Sequence, residues 1–124
     1  MPTLTANRLT VISIRTNRLL ETVQFYRDIL GLSGLVHHGH QPAFELENGL
    51  FLVIVESQDA SGQPAGAPRF PTLAFAVADL DQAAARLKER QIEMPWGIES
   101  NGQNRWIEFY DPGGNLIEFA QFED

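Results

Sequence analysis

The order of strand-like and helix-like segments runs through this chain twice, and a repeat of that kind leaves few architectures open. Residues 9–15 (LTVISIR) are rich in β-branched side chains and read as a strand. Asn17 can cap a helix start, and Leu19, Val23, Tyr26 and Leu30 then recur at helical spacing, with Leu20 and Ile29 widening the stripe. Gly31 is placed to stop that helix. Three strand-like runs follow: LSGLVHH, PAFELEN and GLFLVIVE.

The second copy opens with TLAFAV (72–77) as a strand. Asp79 caps the next helix, Gln82 stands at capping-box spacing, and Leu80, Ala84 and Leu87 form the apolar stripe. IEMPWGI, RWIEFY and NLIEFAQF read as strands, the last two joined by the turn DPGG. Between the copies, SQDASGQPAGAPRFP (57–71) has the composition of a linker. The chain of 124 residues thus reads as one α+β domain with a βαβββ module at about 9–56 and another at about 72–122. The expected fold is a cup-shaped, incompletely closed mixed sheet with the helices on its outer face.

Alternation along the strands sorts residues between the helix side and the open side. Ile12, Ile14, Leu52, Ile54, Leu73, Phe75, Val77, Ile107, Phe109, Ile117 and Phe119 fall on the helix side. Val11, Ser13, Phe51, Val53, Thr72, Trp106, Glu108 and Glu118 fall on the open side. One face is uniformly apolar; the other mixes rings, small residues and carboxylates, as small-molecule sites do. Trp96 and Trp106 can stack on a planar or cationic ligand. Glu108 and Glu118 can exchange protons or attract a cation. Arg105 offers a surface ion pair or an anchor for an anion, and His37, His38 and His40 form an HHGH cluster of open role.

Composition narrows the partners. Nine basic against 16 acidic side chains give a net charge of −7, which works against a nucleic-acid partner. There is no apolar run of membrane-spanning length and no Cys, so a cytoplasmic protein without membrane attachment is expected.

FYRDILGL (25–32), LAFAVADLDQAAARL (73–87) and DPGGNLIEF (111–119) together resemble signatures of the vicinal oxygen chelate superfamily, which includes glyoxalase I, extradiol dioxygenases, fosfomycin-modifying enzymes and bleomycin-resistance proteins. The resemblance implies paired βαβββ modules and commonly a homodimer, with the modules closing a site within one chain or by exchange with a partner. It also implies that metal-dependent members take ligands from the first and last strand of each module. The matching positions here are Val11, Val53, Thr72 and Glu118, of which Glu118 alone is a strong donor. The expectation is therefore no cofactor and no metal site. A small organic molecule, cationic or aromatic and antibiotic-like, would be held by Val11, Ser13, Phe51, Val53, Thr72, Trp96, Trp106, Glu108 and Glu118. The alternative is a divalent-metal lyase or ring-cleaving dioxygenase using Glu118, the candidate catalytic residue, with a His from 37–40. A metal-free isomerase or epimerase with Glu118 or Glu108 as base is a third reading.

Overall fold

The computed structural model describes residues 6, 8–58, 69 and 71–122. The chain divides into two compact units, 1–60 and 61–124. Each unit carries one four-stranded mixed sheet, and neither sheet closes into a barrel.

In the first unit, β1 (Val11–Thr16) leads into α1 (Leu19–Gln24), which continues as a π-helical turn, Phe25–Ile29. Then come β2 (Leu35–His38), β3 (Gln41–Glu45) and β4 (Phe51–Glu56). The sheet order is β1-β4-β3-β2, with β1 parallel to β4 and the other pairs antiparallel. The helix starts differently from the Asn17 expectation: Arg18 holds the cap position and no side chain caps it. The buried Thr16 hydroxyl accepts from the Arg18 amide at 2.9 Å and lies 2.8 Å from that of Thr22. Thr22 in turn donates to the Arg18 carbonyl at 2.7 Å. This threonine pair ties the strand end to the first turn, because buried hydroxyls need partners. The apolar stripe is also displaced. Leu20 is exposed, while Thr22, Phe25 and Tyr26 are buried. Thr22, Phe25 and Tyr26 stand at i, i+3 and i+4, so they share one helix face, and that face is the one turned to the core. Tyr26 packs there against Phe25 and Phe44. Gly31, at φ +78°, takes the chain out of the helix as its sequence position indicates.

The second unit repeats the plan with β5 (Leu73–Ala76), α2 (Leu80–Glu89), β6 (Ile98–Ser100), β7 (Arg105–Tyr110) and β8 (Leu116–Gln121). Its sheet order is β5-β8-β7-β6, with β5 parallel to β8. The Asp79 carboxylate accepts from the Gln82 amide at 3.0 Å, so the helix start is capped as its spacing requires. The Gln121 side chain adds a second cap, accepting from the Leu80 amide at 2.8 Å. Leu80 and Leu87 of α2 and Ile107, Phe109 and Ile117 of the sheet are all buried. IEMPWGI departs from its strand assignment: only Ile98 enters β6, because Pro95 cannot donate to a ladder and Gly97 sits at φ +62°. Ile98 is exposed. None of the described helices is long and apolar enough to cross a membrane.

The DPGG turn joins β7 to β8. The buried Asp111 carboxylate accepts from the amides of Gly113 and Asn115, each at 2.9 Å, and from the Asn115 side chain. Gly114 completes the turn at φ +85°, a conformation that favours glycine. Asp111→Ala strands these donors. It is expected to lower the unfolding free energy by about 1–3 kcal/mol, read from urea titration followed by circular dichroism.

Candidate functional site in the second unit

The turn fixes a register in which Glu108 of β7 stands directly across from Glu118 of β8. Ala74 of β5 stands on the other side of Glu118, and Trp106, two residues from Glu108, stands across from Glu99 of β6. Since successive side chains alternate between faces, Glu99, Trp106, Glu108, Tyr110 and Glu118 share the face opposite the buried Ile107–Phe109–Ile117 side. This is the face expected for Trp106, Glu108 and Glu118. Trp96 lies in the segment before β6, with its ring centroid 6.4 Å from that of Tyr110.

Arg69 brings a cation to this face. Its guanidinium carbon lies 3.9 Å from the centroid of the Trp96 ring, within cation–π distance. Its Nε donates to Glu108 Oε1 at 2.9 Å, and its Nη2 reaches both Glu108 and Glu99. Glu108 is 2% exposed, so its charge requires such a partner. The ion pairs hold Arg69 even more firmly protonated than an ordinary guanidinium, chiefly through Glu99 and then Glu108.

The charges nearest Glu118 are mainly negative. Burial first, then hydrogen bonding to Glu108 and the negative charges of Glu108 and Glu99, push its carboxyl up to about 7. Arg69 pulls the other way without cancelling them. Near neutral pH Glu118 is therefore divided between acid and carboxylate, which equips it to give or take a proton.

The first unit has the same backbone plan with different chemistry. There Val53 stands across from Ala43 and beside Ser13, where the second unit has Glu118, Glu108 and Ala74. Val11, Ser13, Phe51 and Val53 share a face of that sheet, as alternation requires, with Val11 across from Phe51, but Val53, expected on the open side, is buried. His38 is on β2 with its ring 5.6 Å from Phe51, adjacent His37 points to the other face, and His40 falls in the β2–β3 turn. Thr72 immediately precedes β5. Arg105 makes an ion pair with exposed Asp81 at 2.8 Å, the bland role open to it in sequence.

The donor set differs from the one the resemblance implies for metal-dependent members. Valine at 11 and 53 has no lone pair, and Thr72 offers a neutral hydroxyl. Among the described residues, no three His, Asp or Glu side chains are grouped so as to hold a metal ion.

Sequence reasoning missed Arg69 and Glu99. Arg69 lies in the stretch read as linker, although it is the one basic residue in 57–71. Glu99 was hidden by the displaced β6 assignment.

Because the folded state binds the Glu118 proton more tightly than an unfolded chain would, this group stabilises most at low pH. Its contribution falls as pH rises from about 4.5 to about 7. Relative to Glu118→Gln, which has no proton to lose there, wild type is expected to lose stability as pH rises over that interval, with the loss levelling off above it. Thermal melts at closely spaced pH values check this, and parallel profiles would contradict it.

Comparison with known proteins fits this plan. A model of the Glyoxalase/Bleomycin resistance protein/Dioxygenase superfamily matches residues 8–119. A glyoxalase/dioxygenase from Nostoc punctiforme superposes with a TM-score of 0.80 at 21% identity, covering 100% of this chain and 99% of that one. TnmS3, an antibiotic binding protein from Streptomyces sp. CB03234, gives 0.70 at 22% identity, covering 98% and 100%. Lactoylglutathione lyase from Agrobacterium tumefaciens gives 0.70 at 18% identity, covering 94% and 95%. No curated protein sequence matches the chain. With the repeated βαβββ plan and the extent of the family match together, the chain belongs to the Glyoxalase/Bleomycin resistance protein/Dioxygenase superfamily.

Proposed function

We propose that this protein binds a small organic cation with an aromatic or otherwise planar group, without help from a metal. The observation that carries the reading is the gathering of Glu99, Glu108 and Glu118 on one sheet face beside Trp96 and Trp106, with Arg69 bringing a cation to that face. Carboxylates in a partly buried, aromatic setting attract positive charge more strongly than they would in water. The rings supply flat surface on which a planar cation gains both burial and cation–π attraction. The net charge of −7 adds attraction at longer range. An antibiotic binding protein among the structural neighbours supports binding as a use of this fold, while the lyase neighbour keeps catalysis in view. A homodimer belongs to the same proposal, and light scattering should return twice the 13.9 kDa chain mass.

In a thermal-shift panel, cationic aromatic compounds should raise the melting temperature more than their neutral isosteres. A ligand at 100 times its Kd stabilises by about 2.7 kcal/mol. Glu118→Gln should weaken that response, because it removes negative charge from the face. A panel in which no cation stabilises the wild-type protein would overturn the reading.

Metal dependence is tested separately. Protein purified without an affinity tag and dialysed against a chelator should keep its cation binding. Binding lost on chelation and restored by a divalent metal would favour the lyase or dioxygenase alternative.

A further inference from the structure

The position of the Arg69 guanidinium has a meaning beyond charge balance. It meets the three requirements of a bound planar cation: a ring beneath it, a carboxylate in line with its Nε, and a second carboxylate at its Nη2. We infer that Arg69 is a stand-in for the ligand, holding the seat on Trp96 until a free guanidinium- or amidinium-type cation takes its place. This rests on the proposed cation-binding reading and specifies the chemical class of its ligand.

Four features converge on it. Glu108 is buried in the middle of β7, yet its neighbours on that face are Trp106, Tyr110 and Glu118, so the sheet itself supplies no positive charge there. The cation comes from 39 residues away in sequence, outside every strand and helix. It is not walled in: the Arg69 side chain is 31% exposed and Trp96 is 39% exposed, so a ligand in solvent can reach both. The exchange also conserves charge, since one delocalised monocation leaves Glu99 and Glu108 as another arrives. A compact ammonium would satisfy the charge but would match neither the flat ring nor the in-plane fork. The seat therefore selects planar cations.

The consequence is self-competition. A seat filled by its own side chain nine-tenths of the time binds an outside ligand about tenfold more weakly than an empty one. Isothermal titration with benzamidine hydrochloride at constant ionic strength, with benzamide as the neutral isostere, measures this. Arg69→Ala should bind benzamidinium about tenfold or more tightly than wild type. Arg105→Gln, which removes a cation paired with Asp81 at the start of β7, should stay within about twofold of wild type and so control for charge at a distance. In the intact wild-type protein, the nuclear magnetic resonance signal of the Arg69 Nε–H should leave its ion-paired position as benzamidinium saturates the site. That measurement stands even if Arg69→Ala fails to fold.

Wild-type binding that is unchanged or weakened in Arg69→Ala, or an Arg69 signal unmoved at saturation, would overturn the stand-in while leaving cation binding intact. Equal gains in Arg69→Ala and Arg105→Gln would also overturn it, because general charge would then explain both. Absence of benzamidinium binding to wild type and Arg69→Ala alike, with other aromatic cations still binding, would overturn the planar-cation seat. Absence of binding by every cation would overturn the proposed function with it.

Discussion

Two carboxylates held directly opposite each other across an antiparallel strand pair are the constraint around which the second unit's polar face is organised. Like charges in that position repel, and a strand pair free to slip would separate them. Slippage is opposed on two sides. The Asp111 turn pins the hairpin end with hydrogen bonds to Gly113 and Asn115. The apolar side of the same strands, Ile107, Phe109, Ile117 and Phe119, would be turned to the polar face by a one-residue shift. With the register held, the repulsion is relieved chemically: Arg69 neutralises Glu108, and Glu118 retains a proton to unusually high pH.

The two units show how little of this chemistry the fold dictates. Both use the same strand order and the same parallel and antiparallel pairings. At matching places one carries Ser13, Val53 and Ala43, and the other Ala74, Glu118 and Glu108. The first row is neutral and needs no counter-ion. The second imports an arginine from outside its sheet.

Much of the fold was legible in the sequence because local signals and core packing agree there. RWIEFY is β7 to the residue, and Asp79 caps α2 as its spacing indicated. The placement of Glu108 and Glu118 on one face followed from alternation on either side of a recognisable turn. Legibility ended where tertiary demands override local pattern. Leu20 looks like part of a helical stripe, but the buried face runs through Thr22, Phe25 and Tyr26, with Thr22 tied to Thr16, and Leu20 lies off it. Pro95 and Gly97 break an otherwise strand-like run. Arg69 was illegible for a different reason. Its partners are Glu99 and Glu108, 30 and 39 residues away, and no periodicity encodes an ion pair over such a separation.

Both tryptophans of the chain, Trp96 and Trp106, lie in the second unit, while the first unit's buried aromatic cluster is built of Phe25, Tyr26 and Phe44. Indole emission is therefore a private signal of one half of the molecule. Backbone circular dichroism, which sums over both halves, will part from that emission during denaturation when the halves unfold separately with different stabilities. The duplicated chain thus carries a built-in optical measure of how tightly its two copies are thermodynamically bound to one another.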